Sequence, residues 1–266
     1  MTIQFPSFGS FDPLRRAGDR LQRSYQRLST GRRINSAADD ASGLSIVERL
    51  RALESAANQG VHNLASGSNL LQVAEGGLDR ISDNLGRMRE LAIQARNGTL
   101  SDSDRELIQI EYDQLADEVS RTANSTEFNG RSLLDGSTSG TGAVTIHDGT
   151  GGQDLEVEFA DHSAGALGIE GLAVDDDATV AALDQAIDTV ASSRGGIGAT
   201  QNRIDTRIQD LRQRSLNLAD AGSRIADASI AAEASELIRA KLLGRAGIAL
   251  QSHQRLSSGA VLDLLG

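Results

Sequence analysis

Val180, Leu183, Ile187, Val190, Arg194, Ile197, Gln201, Ile204, Ile208, Leu211, Ser215, Leu218, Gly222 and Ile225 recur at alternating intervals of three and four residues. A stripe that repeats every 3.5 residues stays on one side of a helix only if that helix winds around a partner. At 1.5 Å per residue this helix would extend roughly 70 Å. A second stripe runs Leu64, Gly67, Leu71, Ala74, Leu78, Ile81, Leu85, Met88, Ala92, and a shorter one Ile108, Tyr112, Leu115, Val119, Thr122. The spacing predicts a mainly α fold, a long antiparallel coiled-coil bundle formed by the N- and C-terminal halves.

Punctuation between the stripes fits that reading. Asp12 before Pro13 pairs a good N-cap with the residue favoured at the first helical position, and Leu14, Ala17, Leu21 and Leu28 then mark an apolar stripe up to Gly31. Asn97-Gly98 stops the next helix, and Ser103-Asp104-Arg105-Glu106 reads as a capping box that starts another, ending near Asn124. From Ser137 to Asp177 the helical period vanishes. Short alternating runs at Ala143–Ile146 and Leu155–Phe159 predict a small central β-hairpin joined through His147–Asp154. Gly60, Gly67, Gly76, Gly77 and Gly86 conflict with the long helix they interrupt. Each costs about 1 kcal/mol relative to Ala, so packing must hold that helix and backbones must approach it closely.

Composition narrows the function. Aromatics are 3% of the 266 residues, with no Trp and no Cys, so the core must come from Leu, Ile, Val and Ala, and no disulfide or thiolate metal site exists. The net charge of −11 is unevenly placed. Ser137 to Gln185 carries ten Asp/Glu and no Lys or Arg, whereas seven Arg face two Asp between Met1 and Arg33. A net-basic phosphate-binding surface is not in prospect, so nucleic acid is not the expected partner. No apolar run reaches the roughly 20 residues of a membrane span, and the first residues lack the pattern of a cleaved secretory leader.

The chemistry-bearing residues are scattered. His62, His147, His162 and His253 lie far apart, without the His-Glu-x-x-His spacing that sets two zinc ligands on one helical face. Asp175-Asp176-Asp177 lacks the alternating ligands of a calcium loop and reads instead as an acidic helix start. Neither cofactor nor enzymatic activity is expected.

Longer motifs carry identity. Arg27-Leu28-Ser29-Thr30-Gly31-Arg32-Arg33-Ile34-Asn35-Ser36-Ala37-Ala38-Asp39-Asp40-Ala41-Ser42-Gly43-Leu44-Ser45-Ile46 resembles the N-terminal signature of bacterial flagellin, as does Met88-Arg89-Glu90-Leu91-Ala92-Ile93-Gln94-Ala95. Thr126-Glu127-Phe128-Asn129-Gly130 with Leu133-Leu134-Asp135-Gly136, and then Gln201-Asn202-Arg203-Ile204, Ser223-Arg224-Ile225-Ala226-Asp227-Ala228 and Ala246-Gly247, are similar to later parts of that family. The resemblance implies a short flagellin. Residues 1–40 with 226–266 would form inner-tube terminal helices, 41–136 with 178–225 an outer-core bundle, and 137–177 an acidic Gly-rich hairpin segment. Its implied role is a subunit of the extracellular flagellar filament, exported without a cleaved signal peptide. Implied partners are further copies of itself, an export chaperone at the C-terminus, junction and cap proteins, and the vertebrate innate receptor for flagellin.

The resemblance also assigns residues. Leu14, Leu21, Leu28, Leu71, Leu78, Leu85, Ile187, Ile197, Ile204, Leu211, Leu218, Ile225, Leu237, Leu242 and Leu250 would make the coiled-coil seam on which filament assembly depends. Arg32, Arg33, Asp39 and Asp40 would form charge pairs at the joint between inner and outer core, within a subunit or between neighbouring ones. Arg87, Leu91 and Glu111 match the receptor-contact positions. One departure stands out: Pro6 and Pro13 forbid a helix through residues 1–13, where the family has one. Alternatives are a hook–filament junction protein, which usually carries a Pro within the stretch equivalent to Ser36–Asp40, and a secreted coiled-coil protein that never polymerises.

Overall fold

The computed structural model describes residues 12–137, 143–149, 151 and 154–263, except for the side chains of 12–14, 250, 251 and 254–263. Its elements are α1 (Asp12–Thr30), α2 (Ala41–Ala95), α3 (Asp102–Ser125), β1 (Glu127–Phe128), β2 (Arg131–Ser132), β3 (Val144–Ile146), β4 (Leu155–Val157), α4 (Asp177–Ala226) and α5 (Ile230–Asp263). The chain forms two compact units, Leu53–Leu216 and Met1–Ala52 with Asn217–Gly266. The fold is mainly helical, with N- and C-terminal helices packed together and a small antiparallel hairpin between them.

In the unit Leu53–Leu216 the apolar stripes become the core. Every member of the Leu64–Ala92 stripe on α2 is buried. On α4, buried Leu183, Val190, Ile197, Ile204 and Leu211 alternate with half-buried Val180, Ile187, Arg194, Gln201 and Ile208. That alternation is what two interleaved seam positions produce when one points at the partner axis and the other flanks it. Polar contacts fix the antiparallel register. Arg89 Nε donates to Asp184 at 2.6 Å, Arg194 reaches Glu75 and Asp79 at 2.9 Å each, and Ser215 Oγ donates to the Asn58 side-chain oxygen at 3.0 Å. Arg194 thus explains its own place in an apolar stripe, because a polar seam residue specifies which register the helices adopt. From α3, Ile108, Tyr112, Val119 and Thr122 add the third stripe.

The start of α3 corrects the sequence expectation. Ser101, not Ser103, is the N-cap. Its extended backbone (φ −76°, ψ 162°) lets its Oγ accept from Asp104 N–H, while Asp104 accepts from Ser101 N–H at 3.1 Å. The Ser103 hydroxyl merely meets that of Ser101. After α3 the chain makes a tight β1–β2 hairpin whose turn, Asn129-Gly130, holds both residues at positive φ (53° and 74°). Those are the values a two-residue hairpin turn of matching twist requires.

The β3–β4 hairpin pairs Val144 with Val157 and Ile146 with Leu155, and His147 Nδ1 lies 2.9 Å from Asp154 at its closing end. It seats on two of the six α2 glycines, Gly60 and Gly67. A Cβ at Gly60 would collide with the Asp148 carbonyl, one at Gly67 with Ile146, and one at Gly77 with Thr126 and Leu134, while Gly76 and Gly86 face open space. The close approach that the glycines imply is therefore largely intramolecular.

From Asp161 to Val174 an irregular strap crosses α3 and α4. His162 N–H donates to Leu134 O (2.9 Å), Ala164 N–H to Ser120 Oγ (3.1 Å), Tyr112 O–H to Ile169 O (3.0 Å) and Val174 N–H to Gln109 Oε1 (2.7 Å). A segment without secondary structure must find such partners for its backbone if it is to be covered.

In the other unit, α1 and α5 run antiparallel. Arg27 donates to Glu233 at 3.0 Å, and the Lys241 ammonium lies 5.3 Å from the centre of the Tyr25 ring. Ala17 and Ser24 on α1 and Ala240 on α5 are buried, small residues that let the two backbones approach. Gly31 (φ +69°) ends α1, and Ala228 N–H returns to its carbonyl at 2.9 Å.

Candidate functional site

The residues singled out at the joint meet backbone rather than one another. Arg33 donates its guanidinium to Ile225 O and its N–H to Ala226 O, both at 2.6 Å, and Arg32 forms an antiparallel bridge with Asp227. Asp39 accepts the N–H groups of Asn35 (3.1 Å) and Ser36 (3.0 Å), and the Asn35 bond, ahead of the Ser36 bonds, holds its carboxyl below the usual range. Asp40 accepts Gly43 N–H at 2.8 Å and so opens α2. Within the chain Arg33, Asp39 and Asp40 meet amides and carbonyls rather than one another. An exposed ion pair is worth little, whereas orphan groups at a helix end need partners.

Arg87 and Glu111 are tied together across α2 and α3, with Nε and Nη2 donating to one carboxylate oxygen at 3.1 and 2.8 Å. Those bonds, with a third to Glu90, raise the guanidinium pKa. Leu91, four residues after Arg87 on α2, is buried at 1% exposure, so Arg87 and Glu111 alone of the three reach the surface.

The seam residues fall into two groups. Leu71, Leu78, Leu85, Ile197, Ile204 and Leu211 are buried within the unit Leu53–Leu216, with Ile187 half-buried beside them. In the terminal unit Leu21, Leu28, Leu218, Ile225 and Leu237 are half-buried and Leu242 is 60% exposed. The side chains of Leu14 and Leu250 and all of residues 1–11 lie outside those described.

Apart from Leu242, already among the seam residues, two exposed apolar sets were not anticipated by the stripes. On α5, Ile230, Ile238, Leu242, Leu243 and Ile248 are all more than half exposed. Ile238, Leu242 and Leu243 flank half-buried Leu237 on a helix that meets α1 on one side only, so α5 is apolar well beyond the face it buries. On α3, Leu107 (66%) and Ile110 (51%) form a second apolar face beside the buried stripe of Ile108 and Tyr112. The signal was present as apolar residues off the heptad phase.

His62, His147 and His253 are exposed and His162 buried, and among the described residues no three potential metal ligands cluster. Asp176 accepts Ala178 N–H at 3.0 Å and Asp177 pairs with Arg96, so the acidic triplet starts α4. No helix of the described residues is long and apolar enough to cross a membrane.

These features define a coiled-coil structural protein whose helix surfaces, rather than a cleft, carry its chemistry. Residues 12–139 match the bacterial flagellin N-terminal helical region and residues 180–265 the C-terminal helical region. The chain is 35% identical over 264 residues to a 30.7 kDa flagellar filament core protein of Treponema maltophilum, covering 93% of each chain. To a flagellin of Halalkalibacterium halodurans it is 37% identical over 249 residues, 92% of this chain and 91% of that one. Its fold is similar to the crystal structure of Bacillus cereus flagellin, with a TM-score of 0.51 at 31% identity over 60% of this chain and 94% of that one. The chain belongs to the bacterial flagellin family, and like its relatives it is a structural protein and not an enzyme.

Proposed function

We propose that this chain polymerises with copies of itself into the extracellular flagellar filament that serves motility, the terminal helices packing inside and the Leu53–Leu216 unit outside. The observation that carries this reading is the exposed apolar set on α5. Ile230, Ile238, Leu242, Leu243 and Ile248 spread over more of the helix than one partner helix can cover. Helices apolar on several sides are stable where several neighbours surround them. The buried seam on α2 and α4 serves assembly indirectly, by holding the subunit rigid.

The same exposed set needs cover before assembly, which supports an export chaperone at the C-terminal helix. Junction and cap proteins would meet subunits at the filament ends through equivalent faces. Arg87 and Glu111, held together by two hydrogen bonds, would supply the polar contact for the host innate receptor.

Electron microscopy of purified protein under salting-out conditions tests the central claim. Long uniform filaments are expected from the native chain. Leu242→Asp with Leu243→Asp should leave the far-ultraviolet helical signal of the Leu53–Leu216 unit in place and abolish filaments. Normal filaments from that double variant would overturn the inner-packing role of α5.

A further inference from the structure

We propose that His162 is a proton-operated latch: its neutral imidazole, inserted between the strap and α4, ties Asp161–Val174 down, and protonation in mildly acidic medium releases that segment. The hydrogen bonds decide the protonation state. Nδ1 lies 2.8 Å from Ala160 O, an atom that only accepts, so the proton is on Nδ1. Nε2, 2.9 Å from Ser193 Oγ, must then accept the serine hydroxyl proton. Both ring nitrogens are committed, and the residue is 1% exposed.

A second proton would enter at Nε2 and force Ser193 to turn its hydroxyl away. The cation would then sit buried against one carbonyl and one hydroxyl. Nearby charges give it little help. Asp161 is next in sequence, but its carboxylate already accepts Ser163 N–H at 2.9 Å, and Asp135, bridged to Asp161 through the backbone, accepts Ser137 N–H. Glu156 and Glu158 lie at the rim of the adjoining cavity and are exposed to solvent. From α4, Arg194 is of like charge, though neutralised by Glu75 and Asp79 of α2. Burial accordingly holds the imidazole below its ordinary value, against the weaker pull of the Ala160 carbonyl and of Asp161.

Access is built in. A cavity of about 400 Å³ opens beside the ring, floored by Leu78, Leu134, Phe159 and Ile197, so a proton can reach the imidazole without unfolding the unit. Because the released segment has a free imidazole and the docked one does not, release takes up a proton. Docking is complete above about pH 6.5 and weakens as pH falls toward the lowered docked value.

Hydrogen exchange of the full chain tests this, read at the amides of His162, Ala164 and Val174 after correction for intrinsic exchange. Their opening should rise up to about tenfold per pH unit on going from about pH 6.5 toward pH 5, while amides in the middle of α2 stay protected. In His162→Gln, whose side chain does not titrate, that dependence should vanish. Equal opening at both pH values, or an undiminished dependence in His162→Gln, overturns the latch. Should the variant not fold, nitrogen NMR of the native chain decides: a proton on Nδ1 and titration below about 6.5 sustain the proposal, and titration at or above it overturns it.

Discussion

Replacing glycines one at a time along α2 separates what the helix needs from what the hairpin needs. Gly60 and Gly76 are both interior to the same helix, so Ala in place of either gains the same intrinsic helix term, about 1 kcal/mol. At Gly76 a new Cβ meets open space. At Gly60 it falls 2.8 Å from the Asp148 carbonyl carbon and closer still to the oxygen, where carbon atoms normally keep about 3.5 Å or more. Leu211 is 3.0 Å away on another side, so the methyl group has nowhere to relax. Forced shifts of this kind cost about 1–3 kcal/mol. Gly76→Ala should therefore stabilise by about 1 kcal/mol, raising the melting midpoint by roughly 2–4 °C, and Gly60→Ala should lie about 1–3 kcal/mol below it. Urea unfolding followed by circular dichroism measures both. A Gly60→Ala chain as stable as Gly76→Ala would show that the Asp148 carbonyl is not seated over Gly60.

Further outcomes follow from the other unit-building contacts. Tyr112→Phe leaves the Ile169 carbonyl without its buried partner and should cost about 1–3 kcal/mol in urea unfolding. In a Tyr25→Phe background the Tyr112 phenol, pushed up to about 12 by burial, should ionise only near that pH by ultraviolet difference absorbance. Because the folded state raises this pKa, the stabilisation is present below about pH 10 and is lost as pH rises through 12. Ser101→Ala should cost about 1 kcal/mol through loss of the α3 cap and Ser103→Ala almost nothing, so equal costs in the same urea assay would move the cap back to Ser103. Lys241, the one lysine of the chain, should react with an amine acylating reagent in the monomer and be protected in filaments; equal reaction by peptide mass spectrometry would place it on the filament surface.

The parts of the fold legible in the sequence are those that repeat. Each residue of the Leu64–Ala92 stripe is buried because heptad spacing encodes a face, and a face is a property many residues share. The β3–β4 hairpin was legible by its alternation and falls within the anticipated runs. The Asn129-Gly130 turn carried a signal for a second hairpin that two-residue strands were too short to reinforce. The strap was not legible at all. Its position rests on isolated bonds to Ser120, Gln109 and Leu134, which belong to no stripe, and to the Tyr112 hydroxyl, whose partner a stripe position does not reveal, and His162 is an isolated residue until the chain folds. Arg32, Arg33, Asp39 and Asp40 were legible as a motif but not as chemistry, since opposite charges in sequence suggest pairing while their partners are backbone groups distant in sequence or at helix ends.

The two units differ in how far each completes itself, and that difference bears on assembly. In the Leu53–Leu216 unit the apolar stripes of three helices, the hairpin and the strap enclose one another. Even the polar side chains that are covered have partners, for no buried side-chain nitrogen or oxygen among the described residues lacks a hydrogen bond. What this unit leaves for neighbours is a smaller apolar set, Ile93, Leu107, Ile110 and Leu216, each half exposed or more. The α1–α5 unit leaves Ile238, Leu242, Leu243 and Ile248 more than half exposed, and its pair is held by small residues, half-buried Leu21, Leu28 and Leu237, one ion pair and one cation–ring contact. Covering a fully exposed large side chain is worth about 1.5–3 kcal/mol, so completing four that are each somewhat more than half exposed adds on the order of 1 kcal/mol apiece. If further copies of the chain cover this set, as proposed above, the order of α1 and α5 rises with subunit concentration by mass action. A subunit built this way can be rigid where it must hold its shape and incomplete where it must find its neighbours.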